Sequence, residues 1–258
     1  MVMENESIEK LPILRITQQG KSEIEDVVVR EHSLTIVLNN KELVTLLCSP
    51  GKLEYLAAGF LLSQGLINSR DDIREIVIDD NSIARVETNL PVEIPASAVV
   101  ASSGARGVVS LSVRKISAKY QVELSPSRIF SLVEDFVQHS KLFKNTGGVH
   151  SAALCDLRGI LVFSEDIGRH NAIDKVFGEC LLKYITTDNC IVITSGRVSS
   201  EILFKVAKRD VPVLISKSAP TDMGVRLADE SGVTLIGFVR GEKMNVYTHS
   251  WRVMADVG

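Results

Sequence analysis

Apolar and polar positions follow different rhythms in the two halves of the chain, and each rhythm predicts its own elements. Val27 to Asn40 (VVVREHSLTIVLNN) mixes β-branched and polar residues as a strand pair would. Pro50-Gly51 then closes the apolar run ELVTLLCS and opens LEYLAAGFLLSQGLI, where Leu53, Leu56, Ala57, Phe60 and Leu61 recur at helical spacing. Strand-like runs return at IREIVID and SIARVET, and EIPASAVVASSGARGVVS reads as a strand leading into a small-residue loop. Up to about Gln18 the chain shows mixed charges and few periodic signals.

Past this loop, Ser125-Pro126 fits an N-cap with proline in the first turn, followed by the apolar stripe Ile129, Leu132, Val133 and Phe136. Near-continuous apolar runs (VHSAALC, GILVFSE, CIVITS, VPVLIS, VTLIGFV) then alternate with helical stretches marked by Ile173 to Leu181, by Ile202, Leu203 and Val206, and by Val225, Leu227 and Ala228. Such runs suit a buried sheet covered on both faces by helices. The expected fold is α/β, α+β overall, with a β-rich first unit. A boundary near residues 112–124 gives units 1–118 and 119–258, and no internal repeat is present.

Composition adds limits rather than direction. The 258 residues are 45% hydrophobic and 24% charged, enough apolar material for one large or two modest cores. A net charge of -3 gives no global attraction to nucleic acid or anionic lipid. No apolar run approaches the roughly 20 residues that span a bilayer, and MVMENESIEKLPILR has neither a basic nor an apolar leader region, so a cytoplasmic protein is expected. Cys48, Cys155, Cys180 and Cys190 are widely spaced with no C-x-x-C, which predicts buried thiols and no metal or zinc site.

The polar clusters fall at the ends of the apolar runs, where open α/β sheets place their ligand crevices. In Glu165-Asp166-Ile167-Gly168-Arg169-His170-Asn171, Gly168 allows a tight turn, Arg169 can clamp an anion and His170 can exchange a proton. Equally, Asp166 or Asn171 can simply cap the helix while Arg169 pairs with a carboxylate. Thr194-Ser195-Gly196-Arg197 repeats the strand, glycine turn, arginine pattern, and two such turns side by side would cradle an anion. Ser216 to Asp222 reads as a capping turn, and Phe238-Val239-Arg240-Gly241-Glu242-Lys243 as a β-turn between strands. His150 stands near the start of a predicted buried strand, where a histidine is usually structural.

Taken together, GGVHSAAL from Gly147, EDIGRHNAIDKVFG, and SGRVSSE through VRGEKMNVYTH resemble the defining blocks of the FdhD/NarQ family, nearly without a break over residues 146–249. LLCSPGKLEYLAAGFLLSQGLI is similar to the family's N-terminal signature. The resemblance implies a formate dehydrogenase accessory sulfurtransferase. Such a protein takes sulfur from a cysteine desulfurase as a persulfide and passes it to a molybdenum bis(molybdopterin guanine dinucleotide) cofactor. It also implies a cytidine-deaminase-like second unit, a cofactor-binding stretch at Phe238 to Lys243, and a homodimer. The remaining candidates, His150, Gly168, Arg169, His170, Asn171, Ser195, Gly196 and Arg197, would join that stretch. A nucleotide-processing enzyme on a deaminase-like fold is a third reading, weaker because H-x-E with P-C-x-x-C is absent.

One departure matters. Family members carry one or two cysteines in the loop corresponding to Ala101-Ser102-Ser103-Gly104-Ala105-Arg106-Gly107-Val108, and Ala105 stands where a cysteine is expected. An alanine methyl cannot carry a persulfide. Three readings follow: another cysteine substitutes, with Cys155 and Cys48 the spare thiols; the protein only binds and delivers the cofactor; or the residue differs from a functional parent. Cofactor binding with impaired or altered sulfur transfer is the favoured expectation.

Overall fold

Leu34, Ile36 and Leu38 alternate with polar or half-buried neighbours, so one face of their strand is buried and the other is not. The computed structural model describes residues 7–80, 82–92 and 122–254. Within them β1 (Ile8–Thr17) and β2 (Gly20–Val29) form a two-stranded ribbon, and β3 (His32–Leu38), β4 (Lys41–Cys48), β5 (Ile73–Ile78) and β6 (Ile83–Thr88) form a sheet of order β4-β3-β6-β5. Asn39 and Asn40 make the two-residue turn between β3 and β4, both at positive φ (48° and 65°), a geometry that asparagine tolerates and that matches the twist of the strands.

The helix expected after Pro50-Gly51 is α1 (Leu53–Gln64), closed by Gly65 at φ 75°. Serine and proline start α2 (Pro126–His139) as the sequence implies, with the Ser125 hydroxyl accepting from Arg128 N–H at 3.3 Å. A short α3 (Lys141–Thr146) follows. The apolar runs become β7 (His150–Cys155), β8 (Ile160–Asp166), β9 (Ile191–Thr194), β10 (Val213–Ser216) and β11 (Thr234–Arg240), with α4 (Arg169–Leu182), α5 (Ser200–Ala207) and α6 (Asp222–Ser231) between them and β12 (Lys243–Val246) after.

These six strands form one sheet, β12-β11-β10-β9-β7-β8. β9, β10 and β11 run parallel, whereas β7 is antiparallel to both β8 and β9. The carboxyl ends of β8 to β11 and the amino end of β7 therefore share one edge. Side-chain alternation builds three layers. Ala152, Leu154, Val192, Leu214 and Leu235 face α4, α5 and α6, while Ala153, Ile193, Ile215 and Ile236 face α2. The α/β architecture with a β-rich first half and a three-layer second half is thus what the chain adopts.

The first core does not stop at the midpoint of the chain. Leu34, Leu56 and Val86 belong to the same buried cluster as Ile173, Leu203 and Leu235. Helices α1 and α4 cross in contact because both carry glycine where they meet. A Cβ on Gly59 would overlap the Asp174 carbonyl, and one on Gly178 would overlap the Tyr55 carbonyl. Ribbon β1–β2 carries apolar residues on both faces, with Leu14 and Ile16 exposed, and this lack of a buried side is why β1 has no legible period.

Candidate functional site

The EDIGRHN segment joins the end of β8 to α4, and its acid is used for construction. Asp166 is fully buried and pairs with buried Lys175 at 2.7 Å. It also accepts from Ser49 N–H (3.0 Å), Gly168 N–H (2.8 Å) and the Asn171 amide (2.9 Å). A buried carboxylate satisfied this completely is a framework, since every lone-pair direction is occupied. Asn171 gives its second bond to the Leu47 carbonyl, 2.8 Å, so its amide is committed inside the protein. Gly168 is the N-cap of α4 and has no side chain with which to cap it.

Arg169 and His170 behave differently. Arg169 meets no carboxylate among the described residues, its buried Nε lacks a hydrogen-bond partner, and its side chain lies where a Cβ on Gly196 would collide. Gly196 is therefore needed to let the arginine pass. His170 lies 3.5 Å from Glu201, and its pKa is pushed down to about 3, mainly by burial and then by the charges of Lys205, Arg169 and His150.

On the same edge, His150 opens β7 and its Nδ1 sits 3.3 Å from the Ser195 hydroxyl, which also accepts from Ser151 N–H at 3.0 Å. Burial lowers the His150 pKa, and the positive charges of Arg169 and Arg197 lower it further. The imidazole is thus neutral at pH 7 and reports a crowd of cations around it. Arg197 is exposed, and it too has no ion-pair partner among the described residues.

The Ser216–Asp222 turn, expected only to cap a helix, does more. Thr221 does cap α6, accepting from Gly224 N–H at 3.1 Å. But Lys217 donates its backbone N–H to Thr194 (3.1 Å), and the Ser216 hydroxyl reaches the Gly196 carbonyl (2.8 Å). Phe238 N–H reaches the Ser218 carbonyl (3.1 Å), and Arg240 Nε contacts the Lys217 carbonyl (3.4 Å). This turn stitches the SGR turn to the Phe238 to Lys243 hairpin, whose tip is Gly241 at φ 55° between paired Arg240 and Lys243. Burial, and then Arg240, lowers the Lys217 pKa. The sequence signal for Lys217 is a cation just past the end of a buried strand, as Arg169 and Arg197 are three residues past theirs.

A groove of about 1570 Å³ opens along this edge. His150, Ile167, Ser195, Lys217, Ser218 and Val239-Arg240-Gly241-Glu242 line one side, and α2 and α3 line the other. Residues of all three expected segments therefore meet. Gly168, Arg169, His170, Asn171, Gly196, Arg197, Phe238 and Lys243 are not among the residues that line it. The loop containing Ala105 lies outside the described residues.

The family model described as FdhD/NarQ matches residues 29–254. The chain belongs to the FdhD/NarQ family. Relatives named Sulfur carrier protein FdhD include that of Bacillus subtilis, 40% identical over 247 residues and covering 92% of this chain and 94% of the relative. Those of Listeria innocua (39%, covering 90% and 93%) and Staphylococcus aureus (38%, covering 94% and 95%) are similar in extent. A crystal structure described as a formate dehydrogenase accessory protein from Desulfotalea psychrophila superposes with a TM-score of 0.82 at 29% identity, covering 96% of this chain and 99% of that one. As an FdhD/NarQ chain, this one has all four of its cysteines buried, Cys48, Cys155, Cys180 and Cys190. No helix among its described residues is long and apolar enough to cross a membrane.

Proposed function

We propose that this chain is a formate dehydrogenase accessory factor that holds the guanine dinucleotide form of the molybdenum cofactor in the groove and supports its sulfuration and delivery. One observation carries the reading. Along the strand edge Arg169 and Arg197 flank His150 while Lys217 and Arg240 lie beside one another, and none of the four has a carboxylate partner among the described residues. Neighbouring uncompensated cations disfavour one another unless an anion joins them, and a dinucleotide supplies that anion through its phosphates. Lys217 and Arg240 would hold the phosphates from the groove wall, with Ser195 and Ser218 as hydroxyl donors. A cysteine desulfurase and formate dehydrogenase as partners and a homodimeric state rest on the family resemblance, and a cytoplasmic location on the sequence of the first residues and the lack of a spanning apolar run.

Calorimetry with GDP tests this. The protein should bind GDP, and Arg240→Ala should weaken it about tenfold or more, as expected for loss of a charge-assisted phosphate contact. No binding, or binding indifferent to Arg240→Ala, would overturn the proposal.

A second reading concerns sulfur and is favoured by the thiols. Cys48 and Cys155 are 0% exposed, and Cys180 and Cys190 only 3%. Burial pushes the first three to about 12 and Cys190 to about 11. A persulfide acceptor needs a reachable thiolate. None of the four fits, so we infer that the chain binds the cofactor without carrying sulfur on a thiol of its own. Incubation with a cysteine desulfurase and radiolabelled cysteine, followed by mass spectrometry, should find no persulfide on any of the four. A label on one of them would sink this reading.

A further inference from the structure

The groove has two chemically distinct walls, and only one was anticipated. Opposite the cationic strand edge, α2 presents Ser127, Phe130, Glu134 and Val137 at spacings of three and four, hence on one face. Phe143 of α3 completes this wall and is 47% exposed, an unusual position for a large apolar ring. Ile129, Leu132, Val133 and Phe136 anchor α2 to the sheet; Val133 and Phe136 also reach the groove floor, and half-buried Phe130 and Val137 pack on that core at its rim.

The wall is braced rather than loose. The Glu165 carboxylate accepts from Leu142 N–H (3.0 Å) and Phe143 N–H (2.9 Å), fixing the start of α3. Lys144 donates to the Gln138 side chain at 2.7 Å, tying α3 to α2, and buried Ser140 and Ser151 hydroxyls lie 3.0 Å apart beneath them. Glu134, by contrast, has no hydrogen-bond or ion-pair partner among the described residues. Its free acceptor oxygens therefore share the groove with two aromatic rings.

Resting on the cofactor-binding reading above, we propose that the α2–α3 wall is the ring subsite of the groove: Phe130 and Phe143 stack on a planar heterocycle whose N–H edge is read by Glu134, while Lys217 and Arg240 take the phosphates. A carboxylate pairs well with adjacent ring N–H and amino donors, the 2-amino-4-oxopyrimidine edge common to guanine and pterins. Adenine offers a ring-nitrogen acceptor there and is repelled. The ligand is thereby oriented, with its ring toward α2 and its charge toward the strand ends.

Titration calorimetry of the full chain with GDP, ADP, a soluble pterin and inorganic pyrophosphate tests the assignment. GDP should bind more tightly than ADP, and Glu134→Gln should shrink that preference at least about fivefold. Phe143→Ala should weaken GDP about tenfold, the loss expected for one stacked base, while Phe143→Tyr restores binding and pyrophosphate is unaffected. Pterin binding that depends on Phe143 and Glu134 in place of GDP would assign the same wall to the pterin ring. If GDP binds and responds to Arg240→Ala but ignores both Phe143→Ala and Glu134→Gln, the ring subsite is overturned and the cationic site stands. Equal losses of GDP and pyrophosphate in Phe143→Ala would also overturn it. If neither GDP nor pyrophosphate binds the unaltered chain, the underlying cofactor reading falls, and this one with it.

Discussion

Lys175 and Asp166 form a 2.7 Å ion pair in which the side chains are 2% and 0% exposed, and Lys175 also donates to the Ser49 carbonyl at 3.0 Å. Removing one member of such a pair leaves the other buried without compensation. Lys175→Met is expected to cost about 3 kcal/mol of unfolding free energy, measured by denaturant titration. An undiminished midpoint would show that Asp166 finds another partner.

The glycine crossing of α1 and α4 makes a second, opposite-signed test. In an isolated helix Gly→Ala stabilises by about 1 kcal/mol. At Gly59 and Gly178 the new methyl would meet main chain, which cannot step aside as a flexible side chain can. Each substitution should therefore destabilise, by about 2 kcal/mol or more, with a lowered melting temperature as the readout.

His170 predicts an acid limit. In the unfolded chain its imidazole takes a proton near 6.5, and in the folded protein near 3, because burial and neighbouring cations oppose the charge. Between those values the unfolded state holds more protons, so stability rises with pH. The contribution is complete above pH 6.5 and is lost progressively as pH falls toward 3. Urea midpoints across this window should slope downward with acid, and His170→Gln should flatten the slope. A slope unchanged by the substitution would place the acid sensitivity elsewhere.

Alkylation gives a direct view of the four thiols. With Cys48, Cys155 and Cys180 at about 12 and Cys190 at about 11, native protein at pH 8 should resist iodoacetamide over the time in which the denatured chain modifies fully. Peptide mapping would reveal any cysteine that reacts natively, and one reacting at a free-thiol rate would contradict the burial.

Much of this architecture could be read from residue order, for identifiable reasons. Ser125-Pro126 specifies a helix start through local hydrogen bonding alone, and Leu34, Ile36 and Leu38 announce a strand because one face is buried. β1 was illegible because Leu11, Leu14 and Ile16 belong to a ribbon with no single buried face. At the site, the arginines and glycines were legible as turn chemistry. The partition of roles was not. Asp166 and Asn171 are spent on contacts with Ser49 and Leu47, residues more than a hundred positions earlier, and Lys217 joins the groove only through pairing among three separate turns. Phe143 and Glu134 carried no local pattern, since what distinguishes them is the space they face.

Ser49 N–H donates to Asp166 and the Ser49 hydroxyl accepts from Ile167 N–H across sequence separations of 117 and 118. Contacts that distant form late and slow a folding reaction. On the ribosome, the Ser49 segment emerges long before its partner exists, so the turn that opens α4 can take its final shape only once the early strands have been kept available for it. Synthesised alone, the later part of the chain would hold Asp166 and its local partners but lack the Ser49 N–H that completes the acid's hydrogen bonds.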